Sequence, residues 1–203
     1  MDDAADDGVL TRDKILEAAE EVLRRFGPSK ATVVDVARAL GVSHGSVYRH
    51  FPSKAALRDA VTEGWLHRVS APLAEIAARK GPAPERLRQW FDALIAAKRR
   101  KVLDEPELFA TYVRLAADAR DVVQAHVEEL TGQIARIIAD GVKSGAFTVK
   151  DPKVAAKAVF DATARFHNPA HAAEWSDPGH AAAFEGVWTL LRAALTAPMQ
   201  KRR

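Results

Sequence analysis

A chain of 203 residues, 48% apolar and 28% charged, can bury a substantial core, and no stretch approaches the ~18 uncharged apolar residues of a membrane span, so composition excludes a transmembrane helix. The absence of cysteine excludes a disulfide framework, a thiolate zinc site and a cysteine nucleophile, and a reducing, cytoplasmic setting is expected. The net charge of +3 identifies no nucleic-acid partner by itself, but it is placed unevenly: from Arg24 to Arg58 seven basic residues stand against one acid, Asp35.

Residues 1–9 open with Met1-Asp2-Asp3-Ala4-Ala5-Asp6-Asp7 and lack apolar periodicity. They are expected as a disordered acidic arm, without the basic start of a secretory signal. Thr11 is placed as an N-cap, and Ile15, Ala18, Ala19, Val22 and Leu23 recur at helical spacing up to Gly27-Pro28, which predicts a helix over 11–26. A second over 33–40 follows from the capping pattern Thr32-Val33-Val34-Asp35 and from Gly41, which suits a left-handed helix exit. Ser43 caps a short third helix through His50, ended by Phe51-Pro52 because the residue before proline is driven out of the helical region. Ser53 caps a fourth, whose stripe Leu57, Val61, Trp65 and Val69 leads to Pro72, where a kink or division is expected before Gly81-Pro82. Pro84, Pro106, Gly145, Pro152, Pro169, Pro178 and Gly179 then separate helical patterns near 84–103, 105–119, 121–144, 152–167 and 179–196. No alternating strand pattern competes, so the expected fold is all-α with about nine helices.

The most specific signal is the spacing of Ala37, Gly41 and Val47. Two crossed helices need a small residue where their backbones approach, a glycine in the turn and an apolar lock. Val36, Leu40 and Val42 add apolar contacts, which leaves Ser43, His44, Ser46, Tyr48, Arg49 and His50 on the outer side of the third helix. A short polar, basic helix of this kind fits a DNA major groove. The competing reading, a capped connector, leaves Tyr48 and Arg49 exposed without purpose.

From Ala31-Thr32-Val33-Val34-Asp35-Val36-Ala37 through Gly41-Val42-Ser43-His44-Gly45-Ser46-Val47-Tyr48-Arg49-His50-Phe51-Pro52-Ser53-Lys54-Ala55-Ala56-Leu57, the sequence resembles the N-terminal head of TetR-type (TetR/AcrR) regulators. The likeness covers about residues 10–62. It implies a helix-turn-helix DNA-binding domain over 10–58 and a helical effector-binding and dimerisation domain over 59–203. It further implies that Thr32, Tyr48, His50 and Lys54 contact phosphates, while Ser43, His44, Gly45, Ser46 and Arg49 approach bases. Thr32 and Lys54 both stand at helix N-termini, where backbone N–H groups attract an anion. His44 departs from the family's usual lysine or arginine, which makes that contact weaker. The implied partners are double-stranded operator DNA, a second copy of the chain and a small-molecule effector, with no membrane; repression is the family's expectation.

In the body, Phe184, Val187, Trp188, Leu191 and Leu195 form one stripe and Val154, Ala155, Ala158, Val159, Ala162 and Phe166 another. Both are rich in alanine and suit either an intrachain core or a four-helix interface between two copies. The apolar helices between 84 and 142 and their neighbours offer Trp90, Leu94, Phe109, Tyr112, Ile137 and Phe160 as lining for a cavity, with His126 and Gln133 as polar candidates beside them, and the resemblance implies that a small effector binds in this body. An apolar stripe of this kind more often reflects packing than a pocket. The run Lys98-Arg99-Arg100-Lys101 is read as a solvated helix end.

One rival comes from another class. His167, His171, Glu174 and His180 are types that bind zinc, which permits a metal-dependent helical enzyme, but Pro169 breaks the helix that would bring His167 and His171 together. No nucleophile elbow, phosphate loop or His-Glu-x-x-His spacing occurs. No cofactor, metal or catalytic residue is therefore expected.

Overall fold

The computed structural model describes residues 9–197, so the acidic arm expected over 1–9 lies, apart from Val9, outside the described residues. Among the described residues the chain forms nine α-helices and no strand. They are α1 (Arg12–Lys30), α2 (Val33–Ala39), α3 (His44–His50), α4 (Lys54–Ala78), α5 (Ala83–Asp104), α6 (Pro106–Asp118), α7 (Arg120–Lys143), α8 (Pro152–Ala162) and α9 (His180–Thr196). Short 3-10 turns at Ala164–Phe166 and Pro169–Glu174 lie between α8 and α9. Contacts divide the chain into two units, one running to Trp65 and including Glu107–Val123, the other Leu66–Pro106 with the chain from Gln124.

The first unit is assembled by local caps around one apolar centre. The Thr11 hydroxyl accepts the Lys14 N–H at 3.2 Å, and α1 then buries Ile15, Ala19, Val22 and Leu23. The expected stop at Gly27-Pro28 is present as a break, with Gly27 at φ 72°, after which one more turn runs to Lys30. Proline tolerates that position because the first turn of a helix needs no N–H donor from it. Thr32 and Asp35 form the anticipated capping box. Gly41 turns the chain at φ 66°, a conformation costly for any residue with a Cβ. Val36, Ala37, Val47, Phe51, Leu57, Val61 and Trp65 close the core, joined by Leu115 of α6.

Helix α4 is neither divided nor interrupted at Pro72; it continues unbroken to Ala78. A proline removes one hydrogen-bond donor, and here the flanking Val69, Leu73, Ile76 and Ala77 are all buried while Pro72 itself lies on the exposed side. Packing therefore outweighs the missing bond.

In the second unit α5 buries Leu87, Trp90, Phe91 and Leu94, and α7 buries Leu130, Ile134, Ile137 and Ile138. The Arg86 guanidinium donates to the Ala77 and Arg79 carbonyls at 3.0 and 2.8 Å and to Asp140 at 2.9 Å, satisfying the end of α4. The helix expected over 152–167 stops at Ala162. The Thr163 hydroxyl donates to the Val159 carbonyl at 2.9 Å and approaches that of Phe160 at 3.1 Å, the carbonyl that the next helical N–H would use. Within the two stripes offered for core or interface, Val159, Phe166, Phe184, Trp188 and Leu195 face the unit's own core, whereas Val154, Ala158 and Ala162 are exposed.

Candidate nucleic-acid interface

Helix α3 is held by a single inward side chain. Val47 is 0% exposed against Val36 and Ala37 in the first unit's core, and this fixes which way every other residue of α3 points. Ser43, His44, Gly45, Tyr48 and Arg49 are exposed, with Tyr48 at 42%, and Ser46 and His50 are half-buried. The polar outer side anticipated from the sequence is therefore present as one surface.

That surface is internally organised. Ser43 caps α3 by accepting the Ser46 N–H at 3.2 Å, and the two serine oxygens stand 2.9 Å apart. Arg49 Nη2 donates to Ser46 Oγ at 3.1 Å. The three residues recur at i, i+3 and i+6, so one helical edge carries hydroxyl, hydroxyl and guanidinium in a bonded row. This row was not identified from the sequence, although the spacing alone would have shown it. The His44 and Tyr48 rings meet edge-on at 6.4 Å and 89°. A Cβ built on Gly45 would find only Ser43 Oγ, at 3.8 Å, so nothing within the protein requires a glycine there.

Thr32 and Lys54, far apart in sequence, line the same small crevice of about 20 Å³ beside Ala31, Val33, Leu57 and Arg58. The fold thus brings together two of the four residues assigned to phosphate. The Thr32 hydroxyl is occupied within its own cap, since it donates to Asp35 Oδ2 at 2.6 Å and accepts the Asp35 N–H at 3.2 Å. That hydroxyl holds the Asp35 carboxyl below its ordinary value, with Arg38 contributing in the same direction. Ser53 Oγ accepts the Ala56 N–H at 3.0 Å and so starts α4, which carries Lys54 in its first turn.

The histidine segment is dispersed. His167 is buried, its Nε2 within 3.2 Å of both the Phe160 carbonyl and the Thr163 hydroxyl. His171 pairs with Glu174 at 3.1 Å, and His180 packs its ring on Phe166. Among the described residues no three metal-capable side chains converge.

A family model of the tetracyclin repressor-like C-terminal domain matches residues 83–188, more than half of the chain, and the model of the bacterial regulatory proteins of the tetR family matches residues 15–61. The chain belongs to the TetR family. The HTH-type transcriptional regulator TtgR of Pseudomonas putida is 32% identical over 101 residues, 47% of this chain and 48% of TtgR, so the match spans about half that relative's length. Thermus thermophilus FadR, a TetR-family repressor solved with lauroyl-CoA, aligns at 20% identity and a TM-score of 0.62 over 95% of this chain and 99% of its own. SmeT, solved with triclosan, aligns at 18% identity and a TM-score of 0.64 over 90% of each chain. These two structures share the TetR fold with the chain.

Of the residues expected to line an effector site, Trp90, Leu94, His126, Gln133, Ile137 and Phe160 lie in the second unit. Phe109 and Tyr112 instead belong to the first, where the Tyr112 ring lies 6.0 Å from those of Trp65 and Phe109. Trp90, Leu94 and Ile137 are fully buried core residues. Gln133 bridges the interior, accepting the Trp90 indole N–H at 2.9 Å and donating to the Ser70 carbonyl at 3.1 Å. An open groove of about 820 Å³ runs between α7 and α8, lined by Gly132, Ala135, Arg136, Pro152, Lys153 and Lys157 among others, and none of the eight expected residues lines it. Lys98 is not solvated as its basic run suggested; it is 7% exposed. It follows Phe91 and Leu94 by seven and four residues on the buried side of α5, a periodicity that outranks its charge.

Proposed function

We propose that the chain is a ligand-responsive transcriptional regulator, a cytoplasmic repressor whose dimer releases its operator when a small-molecule effector occupies the body. The observation that carries the DNA-binding part is the orientation of α3: Val47 is fully buried and Tyr48 and Arg49 stand outside. In this reading residues 10–58 are the DNA-binding domain and residues 59–203 the effector-binding and dimerisation domain. Tyr48, His50, Lys54 and Thr32 hold phosphates, while Ser43, His44, Gly45, Ser46 and Arg49 face bases. A single short helix reads too few base pairs, so two copies engage half-sites ~34–36 Å apart.

The second copy is supported by what α8 and α9 leave uncovered. Val154 is 66% and Leu190 73% exposed, and Ala158, Ala162, Ala182 and Gly186 continue these positions at helical spacing. An apolar face on the far side of a helix already packed inward is what an interface between copies covers. The effector is supported by family membership and by FadR and SmeT, each solved with a small molecule. The unbroken α4 carries the chain from one unit into the other, and a coupling of about 1–3 kcal/mol through it changes operator affinity roughly 5- to 150-fold.

Selection of bound DNA from a random pool, repeated with candidate effectors, tests both halves. A defined two-fold motif is expected, and loss of binding with at least one effector. Lys54→Ala should weaken binding to all sequences and reduce the salt slope by about one, whereas Arg49→Ala should relax sequence preference. No enrichment at low ionic strength, or an unchanged slope in Lys54→Ala, overturns the assignment.

A further inference from the structure

The outer edge of α3 has a direction of bonding as well as a shape. Arg49 Nη2 donates to Ser46 Oγ at 3.1 Å, Ser46 Oγ stands 2.9 Å from Ser43 Oγ, and Ser43 Oγ accepts the Ser46 N–H at 3.2 Å. Ser46 is half-buried next to the buried Val47, whereas Arg49 is exposed. A long helical side chain lies back over the preceding turn, and for Arg49 that turn offers Ser46 and Gly45, the second of which adds no side chain of its own. The guanidinium is therefore held from the helix side and presented outward on the other.

A guanidinium carries donors only, in a flat fork, and Arg49 gives Ser46 an N–H of one terminal nitrogen. Between Asp35 and Asp59 the sequence contains no acid, and Asp35 is taken up by Thr32 and Arg38. What suits the rest of the fork is a pair of adjacent acceptors. In a major groove guanine alone presents such a pair, N7 and O6, since adenine sets a donor beside its N7, cytosine offers a donor, and thymine has one acceptor beside a methyl group. A phosphate takes a cation from many directions and has no need of a fixed fork, whereas a base edge does. We propose that Arg49 reads a guanine in each operator half-site and that Ser46, oriented in turn by Ser43, positions the guanidinium for it. The inference rests on the DNA-binding reading above and names the base that the operator must contain.

Positioning matters because a free arginine must order several rotatable bonds on reaching a base. With the side chain already bonded to Ser46, less freedom is lost for each hydrogen bond formed to DNA. The two serines also differ in what their removal would disturb. Ser43 caps α3 through the backbone N–H of residue 46, which an alanine at 46 would still supply, so Ser46→Ala removes the hydroxyl that holds Arg49 and leaves the start of the helix bonded.

The test selects bound DNA from a random pool with the full chain and with Arg49→Ala, Arg49→Lys, Ser46→Ala, Ser46→Thr and the double alanine variant, then titrates the selected site at several salt concentrations. The base position at which Arg49→Ala loses preference should be guanine, favoured about 5- to 150-fold by the unaltered protein. Arg49→Lys should keep the salt slope and lose most of that preference, because a point charge has no fork. Ser46→Ala should lower the preference at that same position about two- to tenfold, leave the other positions as they were, and add nothing when Arg49 is already alanine. Ser46→Thr, which keeps the hydroxyl, should retain it. Thermal melts of the same variants confirm that each is folded. An Arg49→Ala protein that keeps the motif but binds every sequence more weakly, with a smaller salt slope, makes Arg49 a phosphate contact and overturns the inference. An unchanged preference in Ser46→Ala, or an effect that persists without Arg49, overturns the positioning role. A two-fold motif with another base at that position overturns this inference alone, whereas the absence of any motif overturns the DNA-binding reading with it.

Discussion

Gly45 illustrates how a single residue separates the needs of the fold from those of the partner. It lies within α3, where a glycine costs backbone entropy, and a Cβ there would meet only an ordinary contact with Ser43 Oγ. Gly45→Ala should therefore stabilise the free chain, by about 0.4–1 kcal/mol in a denaturant titration. If the missing side chain serves close approach to DNA, the same variant should lose operator affinity by about 1–3 kcal/mol in a binding isotherm. Equal or tighter DNA binding by Gly45→Ala would remove Gly45 from the interface. Residues of this sort divide by how local their cause is. The caps at Thr11, Thr32 and Ser43 were legible because donor and acceptor sit three residues apart. The burial of Lys98 was hidden inside a basic run, since it depends on which side of α5 the rest of the unit covers. The Ser43–Ser46–Arg49 row was available to the same spacing argument that found the caps.

At the scale of elements, glycine acts through space. Gly141 on α7 lies under the Phe147 ring so closely that an added Cβ would come within 2.1 Å of it, and Phe147 is itself buried. Gly141→Ala should lower stability by about 1–3 kcal/mol, seen as a fall in the urea midpoint with little change in slope. An unchanged midpoint would mean that the turn after α7 yields without cost. The helices themselves were mostly readable, because proline, glycine and capping residues punctuate the chain wherever one ends. Two boundaries were not. Pro72 was expected to kink or divide the helix because the rule concerns an isolated helix, and the division is absent because Val69, Leu73, Ile76 and Ala77 hold α4 together across it. The early end of α8 depends on the Thr163 hydroxyl turning back to carbonyls of its own last turn, a choice that periodicity does not encode.

At the scale of the molecule, helix count and class followed from pattern, but grouping did not. Glu107–Val123 sits in the first unit, carrying Phe109 and Tyr112 with it, because Leu115 joins a core built mainly by the N-terminal helices. Nothing in the order of the sequence announces that return. The apolar stripes of α8 and α9 were recognised, yet their composition could not tell inward from outward positions, since both sides carry alanine and larger aliphatics. The outward side gives the sharpest test of association. If the proposed pairing runs through it, Leu190→Asp should yield monomers in sedimentation experiments and lose the cooperative part of DNA binding while leaving the helical spectrum intact. A dimer that survives this change would place the interface elsewhere.

The uncovered side of α9 also bears on how the protein is kept folded in use. If Leu190 of α9 and Val154 of α8 are covered by the proposed second copy, association contributes directly to the free energy of the native state, and that contribution follows mass action. Melting temperature should then climb with protein concentration. As synthesis falls, dilution would first split the pairs and then loosen the separated chains, so a falling supply of this protein would disarm it before degradation began.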